Sequence, residues 1–227
     1  MNRILRAWVL FGGVSLAGCA SLTGQPTTVG MTGDGPGGSC RTDVRPEEQL
    51  ELDAVDAQMK RDQPYAALAR LEESSMGAEQ HWLRLGQLYV QTGQLSKAGD
   101  LFSRLSQRCQ SADSYHGLGL VALKQGRLQD GLDAMKMARD KSPSSVDIRN
   151  DYGYALLNAG QNAEAVFELR TAFELADGKG AVRQNLAAAY LITNDQAGLT
   201  RLKKQYGFSP EELAYARQLA EHIRRLQ

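Results

Sequence analysis

Apolar positions fall into three regimes along the chain. From Trp8 to Ala17 they form one short run, preceded by Arg3 and Arg6. Between Ala20 and Arg45 they show almost no periodicity, and Gly, Thr, Ser and Pro dominate. From Pro46 onward Gly and Pro thin out, and Ala, Leu, Gln, Glu and Arg take over, all residues that favour helix. No strand-like alternation bounded by turn pairs interrupts this body. The pattern predicts an all-α fold over 46–227.

A helical body of this length invites a search for internal repeats. Gly86, Gly119 and Gly153 are 33 and 34 residues apart, and Gly93, Gly126 and Gly160 follow at the same spacings. Ala98, Gly131 and Ala165 continue the register, then Phe102, Met135 and Leu169, then Leu105, Ala138 and Ala172. One unit reads "EQHWLRLGQLYVQTGQLSKAGDLFSRLSQRCQ". Trp82, Leu85, Gly86, Tyr89, Gly93, Ala98 and Phe102 make it resemble the tetratricopeptide repeat. The resemblance implies a solenoid of antiparallel helix pairs. Small residues at Gly86 and Ala98 let paired helices approach, Gly93 lies in the turn, and Trp82, Tyr89 and Phe102 fill the space between hairpins. Clear units span 79–111, 112–145 and 146–179. Degenerate pairs are expected at 46–75 and 180–206, because terminal units face water on one side. Ser209, Pro210 and Glu212 form a capping-box start for a terminal helix over 209–227, closed by Arg224 and Arg225.

The same resemblance places the inner face of the solenoid on the first helix of each pair. Carried over by register, it gives three columns. The first is Leu83, His116, Asn150 and Gln184; the second Gln87, Leu120, Tyr154 and Ala188; the third Val90, Leu123, Leu157 and Leu191. The third column is aliphatic in every unit. An apolar stripe on a concave, solvent-facing surface marks a partner site. It would suit an apolar or amphipathic segment, with the flanking Gln, Asn and His bonding its backbone. The alternative is that the stripe packs internally, or is covered by the chain's own tether or terminal helix.

The first 18 residues read differently. A ten-residue apolar run is too short to span a bilayer, which needs about 20. With Arg3 and Arg6 before it, it fits a secretory signal peptide. Leu16-Ala17-Gly18-Cys19 resembles the lipobox of bacterial lipoproteins. That resemblance implies cleavage before Cys19, acylation of its thiol, and a lipid-anchored chain. Ala20, not Asp, would follow the acylated residue, and this points to the outer membrane, on its periplasmic face. Residues 19–45 then read as a lipidated Cys and a flexible tether. As a coil, Ala20–Arg45 would reach roughly 28 Å.

Charge adds little. The chain of 227 residues carries 26 basic and 26 acidic side chains, so it has no basic bias toward nucleic acid. His81, His116 and His222 are its only histidines and are far apart. No HExxH, GxSxG, P-loop or metal-spaced Cys pair is present, so no catalytic residue, metal or cofactor is expected, and an enzyme is not. With Cys19 committed to acylation, Cys40 and Cys109 remain. An oxidising compartment permits an intramolecular bridge between them, but two free or intermolecular thiols fit the sequence as well.

One family resemblance is narrower. "DYGYALLNAGQNAEAVFELRTAF" followed by "VRQNLAAAYLITND" is similar to the TadD family of Tad (Flp) pilus assembly, over about Leu85 to Asp195 together with the lipobox. The resemblance implies a pilotin-like outer-membrane lipoprotein whose groove holds a segment of a secretin, with Arg183 and Gln184 at its rim. A type IV pilus pilotin, another envelope-assembly lipoprotein, or an adaptor for peptidoglycan enzymes are the alternatives. The lipobox reading has a direct check. Cys19→Ser should release the protein from membranes in a fractionation; a variant that stays membrane-bound and uncleaved contradicts it.

Overall fold

The computed structural model describes residues 39–74 and 77–227. The signal peptide, Cys19 and most of the tether lie outside them. The described residues form eleven helices: α1 Pro46–Lys60, α2 Pro64–Glu73, α3 Glu79–Gln91, α4 Leu95–Arg108, α5 Ala112–Lys124, α6 Leu128–Lys141, α7 Val146–Asn158, α8 Asn162–Leu175, α9 Val182–Ile192, α10 Gln196–Tyr206 and α11 Pro210–Leu226. The first ten make five antiparallel hairpins, each packed on the next.

Every hairpin turns on the same backbone device. Gly93, Gly126 and Gly160 have φ of +76°, +76° and +72°. The amide after each reaches back five residues, as in Gln94 to the Tyr89 carbonyl at 2.8 Å. The glycine's own amide reaches back three, as in Gly93 to Val90 at 3.2 Å. This is the Schellman closure, which satisfies the last carbonyls of a helix while turning the chain. The two degenerate hairpins use it without glycine. Asp62 and Asn194 stand at the equivalent place, each with φ of 57°. Asp and Asn tolerate the left-handed region better than other side chains.

Within and between hairpins, contact depends on a large residue meeting glycine. The Phe102 ring of α4 lies against Gly86 of α3 and Gly117 of α5. A Cβ at those positions would stand 2.5 Å and 2.2 Å from the ring, so no side chain fits. Two apolar clusters result. One holds α1–α5 together around Leu88, Leu101, Phe102 and Leu105. The other spans α6–α11 around Met135, Leu156, Leu169, Leu186 and Ile223.

Two buried carboxylates tie these layers. Glu168 of α8 is fully buried and pairs with both Arg139 of α6 and Arg149 of α7. Removing one partner of such a group costs about 3–5 kcal/mol, since it strands a buried charge. Glu48 of α1, 2% exposed, accepts from Arg41 at 2.7 Å and from Arg45 at 3.0 Å. The Arg41 guanidinium, then that of Arg45, holds the Glu48 carboxyl well below the usual carboxylate range.

The same contacts shorten the predicted tether. The Arg41 carbonyl accepts from the Glu79 amide at 2.8 Å, in an isolated bridge beside Ala78. Cys40 and Cys109 form a disulfide that joins this segment to the end of α4. Residues 39–45 therefore belong to the folded body, although their composition reads as linker.

His81 of α3 is 1% exposed, and neither ring nitrogen has a hydrogen-bond partner among the described residues. Burial pushes its pKa down to about 4, against the smaller upward pull of Glu48 and Glu51. The unfolded chain therefore takes up a proton on this imidazole before the folded one does. The stability that His81 contributes is intact above its unfolded pKa near 6.5 and is lost as pH falls toward about 4. Between pH 7 and 5 the chain should lose about 1–2 kcal/mol in urea unfolding. His81→Leu should remove most of that slope.

Candidate functional site

The inner face is built by α1, α3, α5, α7 and α9, the first helix of each hairpin. The structure divides the twelve predicted groove residues into two groups. Leu83, Gln87, Val90, His116 and Leu120 line one open groove of about 680 Å³ between α1, α3 and α5. Leu123 and Tyr154 are half-buried against the C-terminal cluster and carry the face onward. Beyond them the surface is not free. Leu157 and Ala188 are fully buried, and Leu191 is half-buried.

The cover is α11, which lies along α9 and reaches α7. Leu213, Ala216, Ala220 and Ile223 of α11 are buried there. Arg183 at the start of α9 donates to Glu212 at 2.8 Å and 3.1 Å, and also to the Gly178 and Tyr206 carbonyls. That pairing, before the cost of burial, raises the Arg183 pKa above its usual value and, with the Ser209 amide, lowers that of Glu212. Arg224 donates to the Leu191 carbonyl at 2.6 Å, and the Gln227 amide donates to that of Leu157. The uninterrupted stripe expected from the third column is thus covered over its C-terminal half by the chain's own last helix. Arg183 is not at an open rim; it clamps that helix.

The polar column also differs from expectation. His116 Nε2 lies 2.8 Å from Asp151 Oδ2, and Asn150 Oδ1 accepts from Asn185 at 2.8 Å. Asn150 in turn donates to Asp151 Oδ1 at 3.2 Å. These groups bond neighbouring α5, α7 and α9 to one another, rather than standing ready for a peptide backbone. Gln184 is half-buried.

Sequence reasoning missed what α1 contributes. Gln49, Leu52 and Asp56 complete the open groove, and Asp56 pairs with Arg84 at 2.7 Å. The turn residues Asp62 and Gly93 are 31 apart, whereas the clear units repeat at 33 and 34. With that offset, Leu52 aligns with Leu83 and Asp56 with Gln87. Among the described residues no group of three His, Cys, Asp or Glu side chains is placed to hold a metal, and no helix is long and apolar enough to cross a membrane.

Five stacked hairpins closed by one recurring turn define the class of protein: an all-α solenoid of tetratricopeptide repeats. A family profile for the tetratricopeptide repeat matches residues 116–177, which carry most of α5–α8. The TPR repeat-containing protein PA4299 of Pseudomonas aeruginosa is 29% identical over 187 residues, 82% of this chain and 72% of that protein. Three solved structures share the fold. TTC0263, a thermophilic TPR protein of Thermus thermophilus, superimposes with a TM-score of 0.58 at 20% identity, over 77% of this chain and 98% of its own. MamA from Desulfovibrio magneticus RS-1 gives 0.52 at 14%, over 81% and 97%. YrrB, described as a TPR protein with an unusual peptide-binding site, gives 0.50 at 19%, over 77% and 90%. Repeat solenoids of this kind present their concave surface to partner proteins.

The division of the inner face predicts unequal costs of truncation. Leu157→Ala should lower unfolding stability by about 2–5 kcal/mol, as for a closed core. Leu83→Ala, on the open half, should cost about 1 kcal/mol or less. Equal losses in urea titrations would contradict the covered and open assignment.

Proposed function

We propose that the protein is a lipid-anchored adaptor of the outer membrane, of the pilotin-like kind that serves Tad (Flp) pilus assembly. Its open groove holds a segment of a secretin or another assembly component. The observation that carries this reading is the groove between α1, α3 and α5. It pairs an apolar floor of Leu52, Leu83, Val90 and Leu120 with a polar rim of Gln49, Gln80, Gln87 and Gln91. Such a surface suits one apolar face of a partner segment while hydrogen-bonding its backbone. The narrower assignment to pilus assembly rests on the resemblance of residues 85–195 and on the lipobox at Cys19.

Location and reach follow from the same reading. Acyl chains on Cys19 would fix the chain to the membrane, since two or more chains anchor far more firmly than one. Because Cys40 is bonded to Cys109, only residues 20–38 separate the anchor from the folded body. The groove would then work close to the membrane surface, where a secretin subunit arrives.

A photo-crosslinking residue at Leu83 or Leu120, in cells assembling the pilus, should trap a secretin segment. The same residue at Leu157, beneath α11, should trap much less. Capture of unrelated proteins alone from Leu83 and Leu120 would sink the proposal.

A further inference from the structure

The strip over α7 and α9 already holds a helix, and that helix records what the strip accepts. α11 does not stack on α10 as the next helix of a solenoid would. It packs on α9 and α7 instead. Its polar contacts fix its direction. Glu212 meets Arg183 at the start of α9, and Arg224 meets the Leu191 carbonyl at the end of α9. The helix therefore runs alongside α9 in the same sense and ends on α7, where Gln227 bonds the Leu157 carbonyl.

Between these ends, Leu213, Ala216, Ala220 and Ile223 form the buried stripe. Two of the four are alanines, so α11 removes less apolar area from water than its length would allow. The link before it is short and is held at one point, where Phe208 is buried with the Arg183 guanidinium over its ring. Gly207 closes α10 with φ of +58°, and nothing lies within 4 Å of where its Cβ would be. The covered strip is also continuous with the open groove through Leu120, Leu123 and Tyr154.

We propose that the inner surface of α7 and α9 is a second helix-docking site, with α11 as its resident ligand. The partner it takes is an amphipathic helix that carries a carboxylate in its first turn, to meet Arg183, and small or branched apolar residues at the spacing of Leu213, Ala216, Ala220 and Ile223. Such a helix displaces α11 and extends the open groove to the full length of the solenoid. The inference rests on reading the concave face as the binding face. Its test needs neither a secretin nor a membrane, so its failure and that of the adaptor reading are distinguishable.

Two measurements on the full chain decide it. In native-state hydrogen exchange, α11 should open as its own unit, with amides exchanging at least about tenfold faster than those of α7 and α9. Separately, a labelled synthetic peptide of residues 209–227 should bind the unaltered chain weakly. It should bind Glu212→Arg at least about tenfold more tightly, because that variant ejects its own α11 from Arg183. Adding Arg183→Glu to Glu212→Arg restores an internal pair and should return peptide binding to the low level. If α11 exchanges in step with α9, it is a fixed part of the core and the proposal fails, whatever the folding of the variants. No gain in peptide affinity for a folded Glu212→Arg chain overturns it equally.

Discussion

Five hairpins depend on one backbone geometry: a residue of positive φ just past the first helix, with two back-reaching amides that close its end. That closure sets the angle between paired helices, and repeating the angle sets the curvature of the stack. The curvature creates the concave face. Gly93, Gly126 and Gly160 supply the geometry without steric cost, and Asp62 and Asn194 supply it at the two ends. The groove follows from the geometry at these positions.

The close helix contacts form a second level. Phe102 can enter only because Gly86 and Gly117 leave room for its ring. The packing it allows brings α3 and α5 side by side, and α1 completes the groove beside them. Polar bonds then lock the neighbouring first helices, with His116 held to Asp151 and Asn150 to Asn185. The buried Arg139–Glu168–Arg149 triad joins α6, α7 and α8. A rigid wall of this kind offers a partner a preformed surface, so less ordering is lost when it binds.

The two ends of the body are managed in different ways. At the N-terminal end, Arg41, Glu48 and the Cys40–Cys109 bridge fold the last residues of a linker-like segment onto α1, α3 and α4. At the C-terminal end, α11 turns inward instead of extending the stack. One end of the inner face is therefore left open and the other is filled. The asymmetry makes the protein's interaction surface shorter than its repeat number implies, and adjustable if α11 moves.

The sequence alone determined the repeat, because glycine recurs wherever backbone geometry or close approach excludes other residues. Register in a solenoid is local, so the paired helices and the helix start at Ser209 were legible residue by residue. Unit one was harder to read, because its turn stands 31 residues before the next and uses Asp62. The route of α11 was not legible. A capping box states where a helix begins, whereas the face it covers depends on Arg183 and on a stripe assembled from two other hairpins. The Glu168 triad and the His116–Asp151 pair were hidden for the same reason. Their partners lie 19 to 35 residues away, and only the packed structure brings them within bonding distance.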